Sequence, residues 1–269
     1  MNSTVAIMGC GWLGTPLAQD LLQQGFTVHG STTSHDKVGA LRDLGIVPFQ
    51  ISLTENGIAG PITSFLENAK VIIINVPPNL RGVNKENYEQ KIGHLHEAIR
   101  NSSVANIIFI SSTSVYGDLD GDVKETSVPH PETDSGKQLL ATEETLLNDP
   151  DLETTIIRFG GLIGPNRHPI TFLAGKKGLS NGNHPINLIH LDDCIRIIAT
   201  VLEKGYWGEI FNGVYPLHPP KKDYYANEAD KRGLEAPQYT DSRSSQGKKV
   251  IPYNLMERKK FTFKKSIVS

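Results

Sequence analysis

The chain has 269 residues, 38% of them hydrophobic, which is enough to bury one large α/β domain, or a core with a smaller lobe, without staples. A formal net charge of −2 gives no footing for a nucleic-acid partner, and no continuous apolar run is long enough to span a membrane. The charge is uneven: residues 221–269 hold 12 Lys/Arg against 6 Asp/Glu, a net of +6 that leaves −8 for the first 220, and part of that excess is the terminal run RKKFTFKK, read as a solvated tail.

Taken in chain order, short β-branched runs alternate with segments of helical period. TVAIMG (4–9) reads as a buried strand, and Leu13, Leu17 and Leu21 follow at helical spacing, with Pro16 in the tolerated first turn. The glycine-broken stretch MNSTVAIMGCGWLG, with no basic n-region, is expected to be neither a signal peptide nor a membrane span. FTVHG (26–30) is a second strand, residues 35–44 a short helix, and IVPFQI (46–51) a third strand. KVIIINV (70–76) is a fourth, apolar throughout its middle, as a strand covered on both faces should be. Tyr88, Ile92, Leu95 and Ile99 mark one face of the next helix. NIIFISS (106–112), a helix over about 137–148, and TTIIRFG (154–160) complete six strands with intervening helices, a doubly wound parallel sheet. Residues 1–160 are expected to form this core. Residues 161–269 are expected to form a smaller lobe on the substrate side, with 184–213 returning to the core sheet. In this second part GGLIGPNRHP reads as loop, INLIHLDDCIRIIATVLEK as strand into helix, EIFNGV as a strand, and residues 216–269 as polar with weak helical signals.

Gly9, Gly11 and Gly14 stand in G-C-G-W-L-G between the first strand and the first helix. The first permits the tight turn, the second lets backbone approach a pyrophosphate, and the third lets helix and strand pack closely. Amide groups at the helix start, around Trp12 and Leu13, then meet the phosphates. A dinucleotide unit specific for NAD usually has an acid after its second strand. Here the stretch is Ser31, Thr32, Thr33 and Ser34, with Asp36 too late and Lys37 and Arg42 nearby, which favours NADP(H) over NAD(H).

SSTSVYG (111–117), with the glycine motif upstream and Lys137 downstream, resembles the extended short-chain dehydrogenase/reductase family, the NAD-dependent epimerase/dehydratase superfamily. NVPP (75–78), RFGGLIGP (158–165), NRHP (166–169) and LIHLDD (188–193) extend the resemblance over most of the chain and are most similar to its atypical YeeZ-like branch. The resemblance implies a Rossmann fold with a nicotinamide dinucleotide held by Gly9, Gly11, Gly14, Asn75, Val76, Pro77, Ser111, Lys137 and Arg158. It also implies hydride transfer at an oxygen-bearing carbon of a small molecule, with nucleotide sugars the common substrates. Anchored on VYG, the family's serine falls on Ser112, its lysine on Lys137 and its tyrosine on Thr133. That is a departure, because a phenol near pKa ~10 can be tuned toward neutrality and an aliphatic hydroxyl cannot. Tyr116 and His168 are the two candidates to carry the proton instead. A non-catalytic NADP(H) sensor acting on a protein partner is the alternative.

No metal is expected. His94 and His96 lie two apart on a helix and face differently. His190, Asp192 and Asp193 form a strand-to-helix junction at which one of the aspartates is expected to cap. Arg158, by its place at a strand end, is expected to meet either a carboxylate near the cofactor or an anionic substrate, and Lys248 and Lys249 either face the cleft or solvent. Cys10 and Cys194 match no disulfide or ligand spacing, so a reducing cytoplasm is the expected compartment. The helix over 84–100 leaves monomer and homodimer both open.

Overall fold

The computed structural model describes residues 3–78, 86–240 and 246–268. Seven strands form the main sheet: β1 (Thr4–Met8), β2 (Thr27–Thr32), β3 (Val47–Gln50), β4 (Ala69–Ile74), β5 (Asn106–Ser112), β6 (Glu153–Phe159) and β7 (Ile210–Gly213), in the order β7-β6-β5-β4-β1-β2-β3. All neighbouring pairs are parallel. The chain runs outward from β1 in both directions, so a crevice opens beyond the strand ends between β1 and β4, where this topology takes its ligands.

The main helices are α1 (Gly14–Gln23), α2 (Asp36–Asp43), α3 (Tyr88–Arg100), α4 (Asp134–Leu147), α5 (Leu191–Lys204) and α6 (Lys221–Asp230). Alternate residues of each strand feed opposite layers. Ile72, Ile74, Ile107 and Phe109 pack with Ile92, Leu95 and Ile99 of α3 and Leu146 of α4. Ile7, Ile73, Ile108 and Ile157 pack with Leu17 and Leu21 of α1 and Ile197 and Val201 of α5. Both faces of β4 are therefore sealed, which is why its sequence is continuously apolar rather than alternating.

Residues 161–163, read as loop, are a short strand. Gly161–Ile163 pairs in parallel with Leu188–His190, in a ladder separate from the main sheet. Within residues 184–213, Ile210–Gly213 is the segment that enters the main sheet, beside β6. The C-terminal part does not form a separate layer throughout: Lys248–Val250 pairs with Gly121–Val123, and Leu255 and Phe261 join the α1/α5 core. A third apolar cluster, around Ile163, Ile170, Tyr224 and Tyr225, holds α6 to the loop after β6.

Candidate functional site

The glycine turn after β1 is built by backbone contacts that only glycine permits. Gly9 has φ +107°, a left-handed value that disfavours side chains. A Cβ on Gly14 would stand 2.1 Å from the Gly9 carbonyl oxygen, so helix and turn are in backbone contact. A Cβ on Gly11 would meet nothing within 4 Å. That open space, above an α1 whose first turn has no side-chain cap, is what a phosphate needs in order to reach helix N–H groups. Two side chains hold the turn: the Asn75 amide donates to the Gly9 carbonyl at 3.1 Å, and the Gly9 N–H donates to Ser31 Oγ at 2.8 Å.

The turn opens into a cleft of about 470 Å³ at the strand ends. Gly9, Gly11, Trp12, Leu13, Ser31, Thr32, Thr33, Asn75, Val76, Pro77, Ser111 and Ser112 all line it. Their roles differ from the sequence expectation in two places. Ser31 is buried, its Oγ taking the Gly9 N–H and donating to Met8 Sδ, so it supports the turn from below. Thr32 Oγ1 accepts from the Ser34 N–H, which leaves Thr33 as the exposed hydroxyl of the three, beside Lys37.

The expected catalytic residues are not assembled. Lys137 is exposed and is not among the cleft-lining residues; the α4 residue that lines the cleft is Leu139. Residues two apart on a helix face different directions, and this rotation removes Lys137 from the site. Thr133 is the α4 N-cap, its Oγ1 accepting from the Gly136 N–H at 3.1 Å. Tyr116 is fully buried. Its hydroxyl donates to Asn212 Oδ1 at 2.8 Å and accepts from Arg158, and burial raises its pKa, so it does not turn toward the cleft. His168 is 8% exposed in the third apolar cluster, against Tyr224 and Glu228. Burial holds its pKa down, and its Nδ1 accepts from the Ile170 N–H. It is a packing histidine of the lobe. Arg158, expected beside the cofactor, is 3% exposed and paired with Glu143 at 2.6 Å. We expect Lys137→Ala to change dinucleotide affinity by less than about twofold, roughly 0.4 kcal/mol, read by titration of NADPH fluorescence.

Other expectations resolve locally. His94 meets the Glu55 carbonyl while His96 meets Asp149, so the two face apart. His190, rather than either aspartate, caps α5, accepting the Asp192 N–H. Asp193 is fully buried and accepts the Lys264 and Lys265 N–H groups, which ties down the chain end. Lys248 donates to the Thr113 and Gly117 carbonyls and so fixes the turn after β5, and Lys249 pairs with Asp122.

Several cleft residues were not anticipated: Ile51, Leu53, Lys91, Leu139, Leu162 and Arg167. Arg167 lies with its guanidinium 4.8 Å from the Trp12 ring centre, and Trp12 Nε1 donates to the Pro165 carbonyl, so the loop after β6 is fastened to the glycine turn. Lys91 is 9% exposed and pairs with Glu86 at 2.8 Å. Helical spacing is the signal that could have found one of these: Leu139 and Glu143 lie four apart and are both buried on α4.

A glycine turn, an uncapped helix start and a cleft at the topological switch point define a dinucleotide-binding α/β protein. A family model described as NAD(P)H-binding matches residues 9–193. The chain belongs to that NAD(P)H-binding family. It is 39% identical to Protein YeeZ of Escherichia coli K12 over 248 residues, 92% of this chain and 90% of that one. Among solved structures, a functionally unknown conserved protein from Silicibacter pomeroyi superposes with a TM-score of 0.78 at 23% identity, covering 98% of this chain and 94% of that one. The UDP-glucuronic acid 4-epimerase of Bacillus cereus, in complex with UDP-glucuronic acid and NAD, gives 0.78 at 18% identity, with 98% and 95% covered. No helix among the described residues is long and apolar enough to cross a membrane.

Proposed function

We propose that the chain is an NADP(H)-dependent oxidoreductase, of epimerase or dehydratase type, that exchanges hydride with an oxygen-bearing carbon of a small molecule. The observation that carries this reading is the cradle: Gly11 opens onto the cleft in front of an uncapped helix start, and Ser111 and Ser112 line the same cleft from β5. The nicotinamide would accept or supply the hydride. The protein's own part is to bind the phosphates at the glycine turn, to exclude water with Leu139, Leu162 and Trp12, and to orient a substrate oxygen with Ser112. Ser112 Oγ accepts the Ser114 N–H, which leaves its own proton for a ligand acceptor.

NADP(H) is favoured because Thr33 and Lys37 line the cleft just beyond β2, and β2 ends in hydroxyls where an acid would repel a 2′-phosphate. Lys37→Ala is expected to cut the NADPH-over-NADH preference by about tenfold, equivalent to ~1.4 kcal/mol, while leaving NADH affinity unchanged. Parallel titrations of the two dinucleotides measure it. A nucleotide-sugar substrate is supported by the ligand of the Bacillus cereus epimerase and by the cleft cation Arg167.

A second reading, a redox sensor that binds NADP(H) without turnover, is favoured by one observation: Leu139 lines the cleft while Lys137 and Tyr116 do not. Two deuteride-transfer screens separate the two: from 4-deuterated NADPH to carbonyl compounds, and from carbon-deuterated nucleotide sugars to bound NADP⁺, because an epimerase or dehydratase takes hydride from the substrate carbon before returning it. Label on any product or on the nicotinamide supports the enzyme. Tight binding with no transfer to any member, together with a protein partner whose affinity follows cofactor oxidation state, sinks it in favour of the sensor.

A further inference from the structure

We infer that Ser111 reads the carboxamide N–H of a bound nicotinamide, and that the buried Glu143–Arg158 pair fixes it in that role. This rests on the dinucleotide reading above. Ser111 ends β5, is 6% exposed and lines the cleft. Its hydroxyl donates to Glu143 Oε1 at 2.5 Å.

The partners behind it fix one another's direction of hydrogen bonding. Asn212 Nδ2 donates to the Ile251 carbonyl, so Asn212 Oδ1 is an acceptor and takes the Tyr116 proton. The Tyr116 oxygen is then left to accept from Arg158 Nη1. Arg158, a donor at every nitrogen, presents Nε and Nη2 to Glu143, which is fully buried. Glu143 therefore accepts from Ser111 as well. A hydroxyl has one proton, and that of Ser111 is spent inside the protein, so toward the cleft it offers lone pairs alone. A ligand group that meets it must be a donor.

The position of Ser111 selects which donor. β5 is two strands from β1, across β4 and away from β2. Strand spacing is about 4.8 Å, so the end of β5 lies on the order of 10 Å from the glycine turn. The adenosine half belongs on the β2 side, at the exposed Thr33 and Lys37, and the nicotinamide half extends toward β5. This end of the cofactor carries ribose hydroxyls and the carboxamide; a hydroxyl can turn either its proton or its lone pairs to a neighbour, whereas the carboxamide nitrogen only donates, so a fixed acceptor matches the carboxamide. Neighbouring Ser112 keeps its proton, so the floor of the cleft offers one fixed acceptor and one free donor.

The test compares NADP⁺ with its 3-acetylpyridine analogue, which has a methyl group in place of the amide nitrogen. Wild-type protein is expected to bind NADP⁺ about tenfold more tightly, the worth of one such hydrogen bond. Ser111→Ala leaves Glu143 paired with Arg158, so it folds; it should weaken NADP⁺ about tenfold, leave the analogue unchanged and abolish the preference. Glu143→Gln keeps the shape and an oxygen for Arg158 but can donate to Ser111, freeing the serine proton; it loses the ion pair, so its affinities are read below its lowered melting temperature, and there it too should abolish the preference with Ser111 still present. Equal wild-type affinity for the two compounds, or an equal loss for both in Ser111→Ala, overturns the inference. Failure of wild-type protein to bind either compound overturns the cofactor reading and this inference with it.

Discussion

Gly11→Ala should fold with an unchanged melting temperature and lose roughly 100-fold in NADPH affinity, about 2.8 kcal/mol, whereas Gly14→Ala should lose both stability and binding. The difference follows from what each new methyl group meets. At Gly11 it enters open space on the cleft side and touches no protein atom within 4 Å, so the protein alone does not notice it. A phosphate approaching the helix start does, because the methyl occupies the path by which oxygen reaches the backbone N–H groups. At Gly14 the methyl would lie 2.1 Å from the Gly9 carbonyl oxygen and 3.2 Å from the Asn75 side-chain nitrogen. Neither neighbour yields easily, since Gly9 is held by Ser31 and Asn75 is itself bonded to that carbonyl. Displacing the turn should cost about 1–3 kcal/mol of stability, the usual range for overpacking. Thermal melts and calorimetric titrations of the two variants give the four numbers needed. Equal melting losses in both would show that Gly11 is a structural glycine and not a phosphate approach.

Arg158→Leu is expected to be among the most destabilising single substitutions in the chain. It leaves the Glu143 carboxylate, fully buried, without its bidentate partner, and it strips a donor from Tyr116. Breaking a buried pair from one side costs about 3–5 kcal/mol. Against a typical total stability of about 5–15 kcal/mol, that lowers the melting temperature of a chain this long by on the order of 10 °C. Pairing it with Glu143→Leu should recover much of the loss, because two apolar side chains of similar volume need no partner. Chemical denaturation of both single variants and the double variant measures the coupling. If Arg158 contacted an anionic ligand instead, the single variant would keep its stability and lose affinity, and the double variant would recover nothing.

The sheet was legible because burial on both faces writes a continuous apolar strand into the sequence, as at Ile72, Ile73 and Ile74, and because α3 repeats Tyr88, Ile92, Leu95 and Ile99 at helical spacing. The pieces that escaped notice are too short to carry a pattern. Gly161–Ile163 is three residues long, begins with glycine and pairs with a segment far along the chain. Such a ladder is set by tertiary contact and not by local preference.

The glycine turn was legible for a different reason: its contacts are local and its spacing is a property of one strand–turn–helix unit. The far wall of the cleft was not. A motif match gives distance along the chain but not rotation about a helix, so it points to Lys137, whereas the α4 side chain lining the cleft is Leu139. Arg158 at a strand end looked like a ligand contact, because nothing in the sequence shows that Glu143, fifteen residues earlier, folds over it. Tyr116 and His168 were candidates on chemistry alone, and each is consumed by partners distant in sequence, Asn212 and Tyr224.

Calorimetric titration of the wild-type chain with NADPH and with NADH tests the central claim most directly. Saturable one-to-one binding, tighter for NADPH and lost in Gly11→Ala, is the predicted result. Absence of binding by either dinucleotide in a well-folded sample would contradict the account of the cleft.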